Sequence, residues 1–306
     1  MKSAASARIL ITQERNDDMP LIEHTLEGTK SKVDIAIQRI RGFEPLAHGL
    51  FDTPYYVAYS GGKDSDVIRI LCELAGVKHD LVHNHTTVDA PETVRYVRSI
   101  VKPENIMPPE MSMWRLIEKK KMPPTRIVRY CCEHLKERGG AGRFVMTGVR
   151  WSESVSRKQK RGVVEVQAKK IKSKLILNAD NAENRRLFEN CTLKGKRILN
   201  PIIDWTDADV WEFLEYYNCK SNPLYQDGFT RIGCVGCPMS GKGRILDFAR
   251  WPMYKDSYIR AFQSMIDAHP NPYSWKSGEE VFEWWMNDKN LDRQIEGQEF
   301  LAGWKS

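Results

Sequence analysis

The chain has 306 residues, with 47 Lys plus Arg against 40 Asp plus Glu, a net +7 with His neutral. Apolar residues make up 41% and charged residues 28%, which suits a globular protein long enough to bury a core without disulfide staples. Its apolar runs fall far short of the ~20 residues of a membrane span, and Met1–Glu14 lacks the apolar stretch of a secretory signal. A membrane protein, a secreted disulfide scaffold and a disordered tail are therefore excluded, and a cytoplasmic location is expected.

In chain order, residues 20–47 read as a leading helical region, with Val33, Ile35, Ile37 and Ile40 supplying apolar positions. Pro54–Tyr59 is an apolar, aromatic run that ends in Ser60-Gly61-Gly62, a buried strand running into a glycine turn. Val67, Ile70, Leu71 and Leu74 follow at helical spacing, and Gly76 closes the helix. His79–His85 is the next strand. Asp89 is N-cap or N′ of a helix with Pro91 in its first turn. Trp114–Lys121 is a short helix stopped by Pro123 and Pro124, and Arg143–Thr147 is a strand leading to Gly148. Asn178–Asn190 reads as a polar loop or exposed helix. Thr206 caps another helix, with Asp209 three residues on. Trp211 and Phe213 read as core. Trp251, Tyr273, Trp275, Phe282, Trp284, Trp285 and Trp304 suggest a helical C-terminal cover packed on the sheet. Strands alternating with helices argue for a parallel α/β sheet.

The charge is unevenly placed. Residues 151–200 carry a net +8 and the remainder of the chain −1. The densest part, Arg157–Lys174, is either a solvated surface or a segment that binds a polyanion such as nucleic acid.

Seven cysteines and no signal segment argue against a disulfide framework. Cys131 and Cys132 are adjacent, and Cys234-Val235-Gly236-Cys237 is a Cys-x-x-Cys in a glycine-rich surround. Four thiolates from two loops match a site for zinc or for an iron–sulfur cluster, and spacing alone leaves both open. Cys72 reads as core, and Cys191 and Cys219 as core or surface residues. His83 and His85 read as packed or hydrogen-bonded histidines. Asp89 and Glu92 could share a metal, although helix capping explains them as well.

Ser60-Gly61-Gly62-Lys63-Asp64-Ser65 lies between a strand and a helix. Glycines let the backbone approach a phosphate, and helix-start N–H groups favour an anion. Ser60 and Ser65 add hydroxyls, and Lys63 adds a point charge. The spacing is not that of a Walker loop.

These residues resemble the PP-loop of the superfamily of ATP pyrophosphatases and phosphoadenosine phosphosulfate (PAPS) reductases. Thr86–Thr93, with Pro91-Glu92-Thr93, resembles that reductase family's second segment. Thr147-Gly148-Val149-Arg150 resembles its arginine segment. Asn200–Trp211 and Asn222–Tyr225 resemble the stretch before the second cysteine pair. The match runs in family order over roughly residues 33 to 250.

The resemblance implies an α/β PP-loop fold, a doubly wound parallel sheet with a helical C-terminal region. Residues 1–50 would be a helical lead-in. Residues 51–240 would form the nucleotide-binding and cluster domain, with 151–200 as a basic insert, and 241–306 the helical cover. Ser60, Gly61, Gly62, Lys63, Asp64, Ser65, Gly148 and Arg150 would hold the nucleotide, with Lys63, Asp64 and Arg150 catalytic. Cys131, Cys132, Cys234 and Cys237 match the pattern that holds a 4Fe–4S cluster in the adenylyl-sulfate reductase branch, which favours iron–sulfur over zinc. Mg2+ would accompany ATP. Partners would be ATP or adenylyl sulfate and a protein that donates sulfur or electrons.

Two departures bear on activity. The 101 residues between Cys132 and Cys234 exceed the spacing expected of a plain reductase, and the excess coincides with the basic stretch. The thiol-dependent reductases also carry a catalytic cysteine in a C-terminal tail, and no cysteine follows Cys237 here. The leading expectation is therefore ATP-dependent activation with sulfur transfer, similar to the DNA-phosphorothioation branch. Reduction of adenylyl sulfate or its 3′-phosphorylated form without the usual tail comes second. A non-catalytic nucleic-acid-binding protein with a degenerate loop comes third, opposed by the intact loop and cysteines.

Overall fold

A computed structural model describes residues 20–25, 28–137, 139–167, 175–178, 196–270 and 274–287. The expected polar segment beyond Asn178, the lysines from 169 to 174, Cys191, Tyr273 and Trp304 lie outside them.

The N-terminal part corrects the helical lead-in. Strands β1 (Ile22–Thr25) and β2 (Gly28–Ser31) pair antiparallel. Helix α1 (Lys32–Phe51) begins only after them. The start is set by Ser31, whose side chain accepts the Asp34 N–H at 3.1 Å and satisfies one of the orphan donors of the first turn.

Then come β3 (Tyr55–Ala58), α2 (Lys63–Ala75), β4 (His79–Asn84), α3 (Pro91–Ile100), β5 (Ile106–Met107), α4 (Met113–Lys120), α5 (Tyr130–Leu135) and β6 (Phe144–Met146). These match the sequence expectations within a residue or two wherever one was made. Asp89 stands at N′, since Ala90 is the N-cap of α3. Next are α6 (Val155–Lys160), β7 (Val164–Gln167), β8 (Leu175–Leu177), β9 (Lys196–Leu199), α7 (Asp207–Tyr216), α8 (Gly243–Arg250), α9 (Pro252–Ala268) and α10 (Gly278–Met286). Thr206 and Asp209 form the expected capping box of α7.

Seven strands form one sheet in the order β5-β4-β3-β6-β9-β7-β8. The first five are parallel, and β7 runs antiparallel to both β9 and β8. From β3 the chain winds outward through β4 and β5. It then returns to β3's other side with β6 and β9, so the winding reverses between β3 and β6. In an open α/β sheet such a reversal leaves a crevice at the carboxyl ends of the strands.

Side-chain alternation divides the sheet's faces. Tyr55 and Val57 point into the main core with α1, α2 and α7, while Tyr56 joins Val82, Val145 and Ile198 in a small cluster. Arg39 of α1 ties this core to the chain after β9 through a paired contact with Asp204, at 2.9 and 2.8 Å. The C-terminal helices do not lie on the sheet as expected. Phe248, Tyr258, Phe262 and Trp285 pack with Met113, Leu116 and Ile117 of α4 and with Tyr130 of α5 in a second core. The apolar face of α9 thus meets another helix. No described helix is long and apolar enough to cross a membrane.

The described part of the basic insert is ordered structure that widens the sheet. Its β7 carries Glu165, fully buried, which Arg161 and Asn200 satisfy at 2.5 and 2.8 Å. Asn200 also donates to the Gly162 carbonyl at 2.7 Å and accepts from the Thr147 hydroxyl. One buried amide therefore joins β7, β9 and the loop after β6. Asn200→Ala should lower unfolding free energy by about 2–4 kcal/mol, because it strips a buried carboxylate of a partner. Urea unfolding checks this, and a loss under about 0.5 kcal/mol, the scatter of neutral surface changes, would contradict it.

Candidate functional site

The crevice holds a cavity of about 580 Å³ lined by Ser60, Gly62, Lys63, Asp64 and Ser65 on one side and by Gly148 and Arg150 on the other. The two loops that line it follow β3 and β6, the strands that flank the reversal.

The first loop is held from outside. Gly61 has φ +75°, and a Cβ there would stand 2.8 Å from Val97 Cγ2, so the turn needs glycine. Its carbonyl accepts the buried Asn222 side-chain amide at 3.1 Å, and the same amide donates to Thr93 Oγ1 at 3.1 Å. The Lys63 N–H donates to the Tyr225 hydroxyl at 2.9 Å. Thr93 and Asn222–Tyr225, separate motifs in sequence, thus act here as buttresses of one loop. The second loop touches the first directly. A Cβ at Gly148 would stand 2.8 Å from the Asp64 carbonyl oxygen.

Charge is concentrated between the loops. Arg150 is buried, and its guanidinium donates to Asp64 at 2.7 Å, Ser152 at 2.9 Å and Asp207 at 3.0 Å. Lys63 pairs with Asp207 at 3.1 Å and lies over the rings of Trp211 and Tyr225. Trp211, expected in the core, is 38% exposed, because this edge-on stack on Tyr225 needs it at the rim. Burial pushes the Asp64 carboxyl up against the pull of Arg150 and Lys63. Partial burial works against the Asp207 charge, but Lys63 and Arg150 outweigh it and hold that carboxyl below its usual value. Lys136, Arg157 and Arg231 also line the cavity, with Glu153. Burial, then the charges of Arg231 and Arg161, push the Arg157 guanidinium down. Preorganised cations around a cleft of this kind favour a polyanion.

Lys136, Asp207, Tyr225 and Arg231 were not singled out as site residues from sequence. The Asn222–Tyr225 motif was the one available signal for Tyr225. The basic stretch contributes Arg157 to this cavity, while Arg161 is spent on Glu165.

The four motif cysteines occupy two segments. Cys131 and Cys132 sit in α5, and Cys234 pairs with Asp89 in an isolated antiparallel bridge. Gly236, φ +73°, turns the second segment where a Cβ would stand 2.6 Å from Phe248 Cζ. The charges of Cys132, Cys234 and Cys237 are all felt at Cys131. A hydrogen bond with Cys131, then one from Arg129, draws the Cys132 thiol down, while burial pushes Cys234 up against the charge of Lys136. Cys72 is fully buried, as expected, and Cys219 is half-buried beside Arg69 at 3.6 Å. Glu92 turns away from Asp89 to accept from the Trp251 indole at 3.1 Å.

Beneath the loop, Asp66 is fully buried and accepts from the hydroxyls of Tyr59 at 2.5 Å and Tyr96 at 3.0 Å. Burial raises its carboxyl from 3.8 to about 6 against those hydrogen bonds. Between about pH 4 and 6 the folded chain then keeps a proton that the unfolded chain has released. This contribution to stability is present below pH 4 and is lost as pH rises through 6, by roughly 3 kcal/mol in all. The stability of the wild type minus that of Asp66→Asn should fall over this window and be flat above about pH 7. A difference independent of pH in urea unfolding would contradict the assignment.

The family model "Phosphoadenosine phosphosulfate reductase domain" matches residues 54–240. An uncharacterized 37.8 kDa protein of Escherichia phage 186 is 27% identical over 183 residues, 60% of this chain and 48% of that protein. Adenosine 5′-phosphosulfate reductase of Burkholderia cepacia is 47% identical over 44 residues, 14% of this chain and 18% of that enzyme. The first two curated relatives are matched over 48% and 46% of their length, so the alignment spans about half of each. Among solved structures, phosphoadenylyl-sulfate reductase from Candida auris superposes with a TM-score of 0.42 at 19% identity, covering 70% of this chain and 97% of that one.

Proposed function

The chain belongs to the phosphoadenosine phosphosulfate reductase domain family, and on that premise we propose that it is an enzyme that binds Mg2+·ATP in the crevice between β3 and β6. The observation that carries this reading is the convergence of two glycine-bearing loops with Lys63, Lys136, Arg150, Arg157 and Arg231 around one cavity of about 580 Å³. The adenine nucleotide's phosphates would lie on the loop from Ser60 to Ser65, at the N-terminus of α2. Asp64, Glu153 and Asp207 stand among the cations. Carboxylates at a phosphate site suit a Mg2+ ion, which binds through one or two of them together with phosphate oxygens.

The reaction we favour is activation followed by sulfur transfer. An acceptor oxygen attacks the α-phosphorus of ATP. The bond from that phosphorus to the oxygen shared with the β-phosphate breaks, and pyrophosphate leaves. A sulfur nucleophile then displaces AMP from the acceptor. Lys63 and Arg150, fixed by Asp207 and Asp64, would stabilise charge that builds on the phosphates without reorganising.

Cys131, Cys132, Cys234 and Cys237 would hold an iron–sulfur cluster. The donor set fits: four soft sulfur ligands from two segments, one disposed to ionise beside Arg129, and Lys136 acting on Cys234. Bound there, the cluster would supply a redox-active, sulfur-binding centre.

Reduction of an adenylyl sulfate is the second reading, favoured by the short segment shared with the Burkholderia enzyme.

Incubation with ATP, Mg2+ and candidate acceptors should release pyrophosphate, and Lys63→Ala should weaken nucleotide binding by about tenfold or more, since one such factor is ~1.4 kcal/mol. Sulfite formed from adenylyl sulfate and a thiol donor, with no pyrophosphate from ATP, would decide for reduction. Anaerobically purified protein should be brown and carry iron, and replacing Cys132 and Cys237 by Ser should bleach it. A colourless zinc protein would overturn the cluster.

A further inference from the structure

His83, His85 and Asp89 have no part in the site described so far, yet they converge. Their ligand atoms lie within 4.8 Å of one another. His83 lies in β4 and His85 just beyond it, where its N–H still pairs with the Met107 carbonyl at 2.9 Å, a two-residue spacing that directs both side chains to one face. Asp89 closes the group from the turn before α3.

His83 is the decisive member. Its Nδ1 is 2.9 Å from the Tyr59 carbonyl oxygen. A carbonyl only accepts, so Nδ1 carries a hydrogen, and in the neutral ring Nε2 is then the nitrogen with the lone pair. That Nε2 is buried with no hydrogen-bond partner among the described residues, on a side chain only 6% exposed. It faces Asp89 Oδ2 at 3.8 Å, too far for a hydrogen bond. The same Oδ2 is 3.2 Å from His85 Nδ1. A buried lone pair aimed at a carboxylate is costly unless a cation lies between them.

We propose that His83, His85 and Asp89 bind a divalent transition-metal ion. Ligands at about 2.0–2.2 Å from one ion stand roughly 3–4 Å apart, as Asp89 Oδ2 does from His83 Nε2 at 3.8 Å and from His85 Nδ1 at 3.2 Å. Imidazole and carboxylate together suit zinc, iron and their neighbours. The outer contacts are those expected around such a site. The Tyr59 carbonyl fixes the His83 tautomer, and the Thr86 N–H donates to Asp89 Oδ2 at 2.8 Å and fixes the carboxylate. A cavity of about 180 Å³ lined by His83, Asp89, Ser60 and Lys136 leaves room for open coordination positions. The ion would stand between the phosphate loop, which Ser60 begins, and the cysteine segment, which Cys234 joins to Asp89.

The test is a Co2+ titration of the full chain without nucleotide, read by metal content and by optical absorption. The expected result is one Co2+ per chain with the d–d bands of nitrogen and oxygen ligands, distinct from the thiolate charge transfer of any Co2+ held by the cysteines. His85→Ala and His83→Gln should each weaken that binding by about tenfold to a hundredfold or more, at least the cost of losing an outer-shell partner. Co2+ bound at the cysteines would show thiolate bands unchanged in both variants, so the two sites are read separately. His85 is 35% exposed on its side chain, so its variant keeps the test valid if His83→Gln does not fold. Absence of a nitrogen–oxygen Co2+ spectrum in the wild type, or its persistence in the variants, would overturn the proposal. Neither result would bear on ATP binding.

Discussion

Everything in the crevice depends on one close approach. The loop after β6 passes so near the first turn of α2 that a Cβ at Gly148 would stand 2.8 Å from the Asp64 carbonyl oxygen. That contact joins the two strands between which the winding reverses, and it sets Arg150 where it can reach Asp64 and Asp207 together. A side chain at residue 148 would part the loops. The cations would then lose the partners that orient them.

The buried polar network around the crevice follows the same logic. Asn222 ties the Gly61 turn to Thr93. Tyr225 takes the Lys63 N–H. Asn200 ties the widened edge of the sheet to the loop after β6. Each joins segments far apart in sequence, and Asn222 and Asn200 are fully buried, so their contacts are costly to break. Rigid placement of charged groups before a ligand arrives is what makes a polyanion site effective.

How much of this was legible in the chain can be judged residue by residue. Strand β3, the loop and helix α2 were legible because Tyr55–Tyr59, the glycines and the Val67–Leu74 spacing are local signals. The capping box of α7 was legible for the same reason. The β1–β2 pair was not: its residues were absorbed into a helical pattern that Ser31 in fact begins. Strands β7 and β9 were hidden by charge. Glu165 and Arg197 are buried there, and a polarity pattern assigns such residues to the surface. Trp211 was misread because its role is set by Tyr225 and Lys63, neither adjacent in sequence. Lys136 and Arg231 reach the cavity from separate loops, and nothing local marks them. The metal trio was half visible: the histidines and Asp89 were noted, but the unpartnered Nε2 needs three dimensions.

The central claim is that an adenine nucleotide occupies the crevice between β3 and β6. The most direct measurement is calorimetric titration of a non-hydrolysable ATP analogue with Mg2+ into the wild type and into Gly148→Val. Saturable binding to the wild type, weakened by about tenfold or more in a variant that still unfolds cooperatively, is the predicted result. Equal affinity in the two proteins would place the nucleotide elsewhere.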